Sequence, residues 1–226
     1  MNQSALKKFA AQARLELLDA VGARLKYVLG TDSVELREKA AIVRELERSV
    51  KREGEAALIE RVAYTWFNRL AALRFIDARG WHRFGCRVLT PASDSETQPE
   101  LLKIFRSGTL PEDLHPYANL QRLNDLLDGR LPPAVTGANP QAEVYRSLIL
   151  AACRYYNKLM PFLFEAIDDE TELLLPDDLL TATSVAEGFR TDISDEDCSE
   201  VEVLGWLYQF YTVSYTHLPL PTPPYV

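Results

Sequence analysis

The stretch from residue 55 to residue 79, bounded by Gly54 and Gly80, is apolar on two sides of a predicted helix, and this feature most constrains the fold. One face comprises Ile59, Val62, Ala63, Trp66, Leu70 and Leu73, and the second comprises Tyr64, Phe67, Ala71 and Phe75. A surface helix carries a single apolar stripe, so a helix of this kind is usually covered by neighbours all round. The pattern predicts a mainly α, multi-helix domain with a central apolar helix.

Further helices are predicted on both sides of the central one. The first spans residues 4–29 with Ser4 as its N-cap, and the next begins at Asp32 or Ser33 and ends at residue 54. Ser184 and Glu187 have the spacing of a capping box. Later helices are predicted at residues 100–106, 119–128 and 141–160, and a final one ends near residue 211.

Two kinds of non-helical segment interrupt these helices. Residues 86–90 predict one short strand or hairpin, the only departure from a helical fold. Residues 90–99 and 129–140 are rich in proline, glycine and small polar residues, which is typical of loops.

Charge is distributed unevenly, which divides the chain into segments. Residues 1–90 hold 17 Lys and Arg against 11 Asp and Glu, whereas the remainder holds 8 against 22. We therefore expect a basic three-helix segment (1–90), a loop-rich segment with short helices (91–140) and an acidic helical segment (141–212). The first and third are expected to pack as one domain. A basic half in an acidic chain also hints at contact with a polyanion.

A basic stripe on the second predicted helix is the candidate nucleic-acid contact. It consists of Arg37, Arg44, Arg48, Lys51 and Arg52, whose spacings of 7, 4, 3 and 1 place them on one face of a continuous helix. Such a stripe would bind phosphates with a steep salt dependence. The alternative is a solvated face, in which Glu38, Glu45 and Glu47 form exchangeable ion pairs with the same residues.

Other candidate sites have simpler structural interpretations. The acidic group Asp168, Asp169, Glu170 and Glu172 would suit Mg²⁺ in a nuclease, but consecutive carboxylates in a loop are far more often a helix cap or solvated turn. Cys86, Cys153 and Cys198 lack paired spacing and predict buried thiols in a reducing compartment. Asn68 and Arg69 are either locally satisfied or orient partners at a domain interface. His82 and His115 lack partners at metal-ligand spacing.

Two features bear on location and chain ends. No stretch approaches the roughly 18 uncharged apolar residues of a membrane span, and the N-terminus does not resemble a signal peptide, so we expect a cytoplasmic protein. Residues 213–226 break with the helical pattern. The hexapeptide VSYTHL resembles translated library adapter, and the alternative is a proline-rich tail that binds an aromatic groove.

The tail also imitates a catalytic motif. Thr222 precedes Pro223, Pro224 and Tyr225, whereas amino-group DNA methyltransferases place Asn or Asp before Pro-Pro-Tyr to hold the target amine of a flipped base. Threonine has no amide or carboxylate, so this copy is not a catalytic motif.

Several long interior segments resemble one known family. They are RVAYTWFNRLAALRFID (residues 61–77), NKLMPFLFEAIDDETELLLPDDLL (157–180) and EVEVLGWLYQFY (200–211), together with KKFAAQARLELLDAV (7–21). In sequence, order and spacing, these segments resemble the N-terminal region of the PglX family, the adenine-specific DNA methyltransferases of BREX phage-defence systems. The resemblance covers residues 1–212.

The resemblance implies a parent enzyme several times longer than this truncated fragment. That enzyme would transfer a methyl group from S-adenosylmethionine to adenine N6 in double-stranded DNA, with other BREX proteins as possible partners. The family's cofactor loop and Asn-Pro-Pro-Tyr motif have no counterpart here, so no catalytic, cofactor-binding or metal-ligating residue is assigned and the fragment is predicted inactive. The alternative is a stand-alone helical interaction domain, which a stop codon just after codon 212 in the source genome would favour.

Overall fold

The computed structural model describes residues 2–164 and 170–213, and within them all regular secondary structure is helical. The prediction of a mainly α fold is confirmed. The long helices are α1 (Gln3–Gly30), α3 (Ala40–Glu53), α4 (Glu55–Arg79), α7 (Pro140–Leu159) and α10 (Glu202–Val213). The short ones are α2 (Val34–Glu38), α5 (Glu100–Arg106), α6 (Leu120–Leu127), α8 (Glu170–Leu173) and α9 (Val185–Thr191). Residues Glu112–Tyr117 and Asp197–Ser199 form 3₁₀ turns.

Helix α4 is the central helix, with the bounds that its sequence predicts. It contacts α1, α3, α9 and α10, and both of its apolar faces are largely buried. Phe67 lies against three aromatic rings from three helices, at centroid distances of 4.7–6.3 Å: Phe9, Phe189 and Tyr211. Gly80 ends the helix in the left-handed conformation (φ 61°), which a residue without a side chain adopts without strain.

Two predictions for the first helices are wrong in detail. The N-cap of α1 is Asn2 rather than Ser4, since the Asn2 side chain accepts a hydrogen bond from the amide of Ala5 at 3.2 Å. The predicted second helix is two helices, α2 and α3, separated at Lys39 (φ −100°, ψ 22°). Neither Gly nor Pro marks this break. The Lys39 ammonium lies 3.4 Å from the buried carboxylate of Glu172, a contact between residues 133 positions apart.

The helices around α4 form one group of elements, and a second group surrounds α7. This helix is capped by Asn139, carries Pro140 in its first turn and contacts α5, α6 and the Glu112–Tyr117 turn. The predicted helices at residues 100–106, 119–128 and 141–160 are confirmed to within one residue at each end. The apolar core is continuous from α1 to α10 across the described residues, so the two groups share it.

The predicted strand at residues 86–90 does not form. Instead, the buried carboxylate of Asp77 accepts hydrogen bonds from the backbone amides of Val88 (2.8 Å), Leu89 (2.7 Å) and Thr90 (2.9 Å), and a fourth from the Thr90 hydroxyl (3.2 Å). Three successive amides bound to one carboxylate are unavailable for a strand ladder. Burial raises the pKa of Asp77, and the four donors oppose that shift.

Residues 170–175, here called the central segment, join the two groups. All six are buried. Side chains from three helices donate to their backbone carbonyls: Arg24 to Leu173 at 2.9 Å, Trp66 to Thr171 at 2.8 Å, and Arg146 to Leu175 at 3.0 Å. The segment therefore occupies the interior between α1, α4 and α7. No described helix combines the length and apolarity that crossing a membrane requires.

Candidate functional site

The basic stripe is exposed but does not lie on one helix. Arg37 belongs to α2, whereas Arg44, Arg48, Lys51 and Arg52 lie on α3 at spacings that keep them on one face. All five side chains are solvent-exposed. The helix break at Lys39 therefore separates Arg37 from the other four.

Carboxylates already pair with three of the five basic residues. Arg37 binds Asp32 through two contacts of 2.5 and 2.6 Å, and Arg48 binds Glu45 at 2.5 Å. Arg52 lies 3.8 Å from both Glu45 and Glu53. Exposed pairs of this kind contribute little to stability and exchange readily with other anions.

Arg44 and Lys51 differ from the rest of the stripe, because neither has a carboxylate partner among the residues that the structure describes. Lys51 lies in the last turn of α3, where a cation interacts favourably with the helix dipole. Helix α3 carries four basic and three acidic residues, so its local charge is only weakly positive.

The acidic group at residues 168–172 is described only in part, since Asp168 and Asp169 lie outside the described residues. Glu170 and Glu172 are 7% and 4% exposed, so they do not form the solvated turn that the sequence permitted. Glu170 accepts from Arg61 at 2.8 Å and from Ser49 at 3.1 Å. Glu172 pairs with Lys39 and Arg154.

The ion pairs and hydrogen bonds of Glu170 stabilise the fold. Burial opposes the ionisation of Glu170, but hydrogen bonds from its own backbone amide, Arg61 and Ser49 outweigh it and lower its pKa. Arg61 also binds Glu53 at 2.9 Å, and that guanidinium lowers the pKa of the Glu53 carboxyl. Within residues 2–164 and 170–213, no group of three His, Cys, Asp or Glu side chains lies close enough together to hold a metal ion.

The prediction of buried thiols is confirmed, because all three cysteines are free and buried. Burial raises the pKa of Cys86 and of Cys153 to about 12 and that of Cys198 to about 11. A thiol is nucleophilic only as a thiolate, so these three are poor nucleophiles in the folded protein.

A groove along α4, here called the α4 groove, is the main concave feature that the sequence did not reveal. It consists of two adjoining cavities of about 250 and 700 Å³ that share Arg61 and Tyr64. The first is also lined by Asn68, Phe162 and Tyr208. The second extends along α4 and α10 to Ala56, Ala57, Glu60, Tyr211 and Thr212.

Each cavity contains a buried polar atom without a hydrogen-bond partner. In the first it is Oδ1 of Asn68, and in the second it is the hydroxyl of Tyr211, whose side chain is 2% exposed. Phe162, at the rim of the first cavity, is 78% exposed, although it is a large apolar residue. The sequence gives one signal of this groove, the polar Asn68 beside the apolar faces of α4.

Arg69, which follows Asn68 on α4, makes contacts within the fold. It is 1% exposed, lies over the ring of Trp66 at 4.8 Å and donates to Thr171 at 3.4 Å. Of the two alternatives that the sequence left open, these contacts favour the local one for Arg69. Asn68 keeps an unpaired oxygen.

Comparison with known proteins relates this helical chain to adenine-specific methyltransferases. Over 93% of its length it is 36% identical to the adenine-specific methyltransferase BrxX of Escherichia coli O9:H4 (strain HS). Over the same share it is 29% identical to the adenine-specific methyltransferase PglX of Lacticaseibacillus casei (strain Zhang). These matches confirm the resemblance that the interior segments indicate. No protein-family model matches the chain.

The matched region is a small part of each relative. The chain spans 18% of the length of BrxX and 20% of that of PglX, so about four-fifths of each relative has no counterpart in it. The described residues contain a helical scaffold and a groove, and no recognisable set of nucleophile, base and oxyanion donors.

Proposed function

We propose that this chain is the N-terminal helical part of a site-specific adenine-N6 DNA methyltransferase that marks host DNA in BREX phage defence. The observation that carries the proposal is sequence similarity over 93% of the chain to two proteins named adenine-specific methyltransferases. The helical packing supports a scaffolding role, since buried side chains of Arg24, Trp66 and Arg146 hold the central segment in place.

The methyl transfer itself is assigned to the part of the enzyme outside this chain. S-adenosylmethionine would bind there, and the substrate would be double-stranded DNA in the cytoplasm, with other BREX proteins as possible partners. The segment alone is expected to be inactive, because its sequence has neither the glycine-rich cofactor loop nor an Asn-Pro-Pro-Tyr motif.

The basic stripe is proposed as a phosphate contact within that enzyme. Arg44 and Lys51 are its strongest members, because they are exposed and lack carboxylate partners among the described residues. Arg37, Arg48 and Arg52 would have to exchange a carboxylate for a phosphate, which their exposure permits. The competing interpretation is a solvated helix face.

The test of the enzymatic proposal requires the complete gene from the source genome. It would be expressed, alone and with its neighbouring genes, in a host whose chromosome lacks adenine methylation, and the DNA would be read by single-molecule sequencing. We expect N6-methyladenine at one sequence motif, and none when the Asn of the Asn-Pro-Pro-Tyr motif is replaced by Ala. Unmodified DNA with an intact gene set would contradict the proposal.

A second arm tests the segment by itself. Incubation of this chain with DNA and radiolabelled S-adenosylmethionine is expected to transfer no label. Labelling of DNA by the chain alone would place the chemistry within these residues and overturn the assignment of catalysis to the absent part.

A further inference from the structure

The turn at the end of α4, residues 79–85 and here called the Trp81 turn, presents a large aromatic ring to solvent. Trp81 is 56% exposed. Its backbone amide donates to the Ile76 carbonyl at 3.0 Å, and Gly80 and Gly85 take the positive φ angles that the turn requires. Phe84, which is buried, anchors the other end of the turn in the core. The exposed ring is therefore held on a backbone that is fixed at both ends.

The chain around Trp81 is basic, although the protein as a whole is acidic. Residues 78–93 contain three arginines and one histidine and no Asp or Glu, in a chain with a net charge of −8. Arg79 and Arg83 flank Trp81 and are exposed, and neither has a carboxylate partner among the described residues. The Arg79 guanidinium lies 5.4 Å from the centroid of the Trp81 ring. In the basic stripe, by contrast, three of the five residues already have carboxylate partners.

The acidic groups close to Arg79 have other partners. The Cys198 thiol feels the charge of Arg79 and of two carboxylates beside it, Asp195 and Asp197. Asp195, however, binds Arg74 at 2.7 Å, and Asp197 accepts a hydrogen bond of 2.7 Å from a hydroxyl of the same turn. Arg79 thus lies near acidic groups without being bound to one.

A third cation adjoins Arg83. The Lys158 ammonium is exposed and lies 5.1 Å from the ring centroid of Tyr117, which packs against Tyr155 at 6.4 Å. Arg83 acts on the hydroxyl of the same Tyr155, as does Asp113, whose negative charge offsets one of the two cations. The surface on this side of Trp81 therefore keeps a positive charge.

The chemistry of the turn favours a nucleic acid over a peptide. Guanidinium groups without carboxylate partners bind phosphates well, and an exposed aromatic ring stacks on an unstacked base of any identity. A cation on each side of an aromatic ring matches a nucleotide strand, in which each base lies between two phosphates. Enzymes that modify a base in duplex DNA take it out of the stack, so their substrate contains an interrupted stack of this kind.

We propose that the Trp81 turn is a DNA-contact site of the full-length enzyme, at which Trp81 stacks on an unstacked base and Arg79 and Arg83 bind the adjoining phosphates. This inference rests on the proposed function, since it takes DNA as the substrate. The turn and the α3 stripe lie at opposite ends of the 25-residue helix α4, roughly 37 Å apart. Variants at the two sites can therefore be interpreted separately.

Binding of DNA by the full-length enzyme tests the proposal. The probe is a fluorescein-labelled duplex with one bulged adenine, which supplies an unstacked base whatever the recognition sequence, and anisotropy reports affinity over a range of salt. Trp81→Ala should weaken binding about ten-fold or more with an unchanged salt slope, because a stack and no phosphate contact is lost. Arg79→Gln with Arg83→Gln should reduce the slope of log affinity against log salt by about 2. Trp81→Phe keeps an aromatic ring and should retain most of the affinity.

Two exposed residues outside the turn provide matched controls. Phe162→Ala removes an aromatic ring that is 78% exposed, and Arg130→Gln removes an exposed arginine that pairs with Asp125. Both should bind the probe as the wild type does. An equal loss of affinity in the controls and in the variants of the turn would contradict a specific contact at Trp81.

The outcomes separate this inference from the proposed activity, since the measurement needs no methyl transfer. Wild-type affinity in Trp81→Ala would overturn the stacking, and an unchanged salt slope in the double arginine variant would overturn the phosphate contacts. If the enzyme methylates DNA while these variants bind normally, the proposed function stands and the Trp81 turn is refuted. If the variants instead lose only an association with another protein, the surface is a protein interface and the proposal is wrong. A wild-type enzyme that does not bind DNA would refute both.

Discussion

The indole Nε1 of Trp66 donates a 2.8 Å hydrogen bond to the carbonyl oxygen of Thr171, and both residues are buried. This bond joins the central helix to the central segment, which lies 105 positions further along the chain. It explains why an aromatic residue with a donor, rather than a purely apolar one, occupies this position of α4.

Trp66→Phe should therefore destabilise the protein by about 2–4 kcal/mol, because it leaves the Thr171 carbonyl unpaired and opens a cavity. The free energy of unfolding in urea measures this. Trp81→Phe is the matched control, since Trp81 is 56% exposed and the same replacement there should cost no more than about 0.5 kcal/mol. Equal effects at the two positions would refute the structural role of the Trp66–Thr171 bond.

Asp77→Asn should cost about 2–4 kcal/mol, although the side chains have nearly the same volume, because an amide nitrogen would face backbone donors that now bind a carboxylate. Thermal and urea unfolding would measure the loss. Asp94→Asn, in an exposed loop, serves as control and should leave stability nearly unchanged. A tolerated Asp77→Asn would mean that residues 88–90 hold their conformation without the carboxylate.

Stability should fall in acid because of carboxylates whose pKa is lowered in the folded state. Arg61 lowers the pKa of Glu53, and the pKa of Glu170 is also below its ordinary value. Carboxyls of this kind contribute stability above the unfolded-state pKa, about 4.3 for Glu, and lose it as pH falls through the lower folded value. The free energy of unfolding should therefore be constant near neutrality and decline below about pH 4.3.

Arg61→Gln identifies the source of this acid sensitivity. The variant should be less stable than the wild type at pH 7, with a difference that shrinks as the pH falls and the two carboxyls become protonated. Arg79→Gln, at an exposed arginine in the last turn of the same helix, should give a profile parallel to the wild type. A pH-independent loss in Arg61→Gln would show that packing, rather than charge, underlies its effect.

The three cysteines should resist alkylation in the native protein. Burial raises the pKa of Cys198 to about 11 and that of the other two to about 12, so the thiolate fraction at pH 8 is very small. Iodoacetamide at pH 8 should modify none of them within minutes, whereas the urea-unfolded chain should take up three equivalents. Rapid native labelling at one site would reveal local opening there.

The stripe can be tested through the salt dependence of DNA binding by the full-length enzyme. Arg44→Gln with Lys51→Gln should weaken binding and reduce the slope of log affinity against log salt by about 2, since each phosphate contact contributes about 0.9. Arg130→Gln is the matched control, because Arg130 is also exposed but pairs with Asp125 and lies outside the stripe. Unchanged affinity and slope in the double variant would identify α3 as a solvated face.

Periodicity alone predicts the elements that are stabilised locally. Helix α4 has its predicted bounds because its apolar faces are continuous and Gly54 and Gly80 mark its ends. The N-cap half of the predicted capping box is also confirmed, since the Ser184 hydroxyl accepts from the amide of Glu187 at 3.3 Å, whereas the Glu187 carboxylate binds Arg190 and the Ser184 amide donates to Thr181. These features depend on neighbours within a few positions in the sequence.

The features that sequence reasoning missed depend on distant partners. Residues 86–90 are compatible with a strand, and only the Asp77 carboxylate withdraws their amides from one. Glu170 and Glu172 belong to an acidic run that suggests exposure, but the Ser49 hydroxyl of α3, Arg61 of α4 and Arg154 of α7 make their burial possible. The α4 groove was not predictable, since its lining joins residues from α4, α10 and the turn at 162–163.

The position of the central segment has a consequence for synthesis on the ribosome. Arg24 and Arg61 emerge long before the Leu173 carbonyl and the Glu170 carboxylate that they bind. Until those residues leave the exit tunnel, the earlier helices have apolar flanks and unpaired guanidinium groups without a counterpart. A nascent chain stalled before that point would therefore be a substrate for chaperones and proteases, and the domain would acquire its native packing late, in a single closing step.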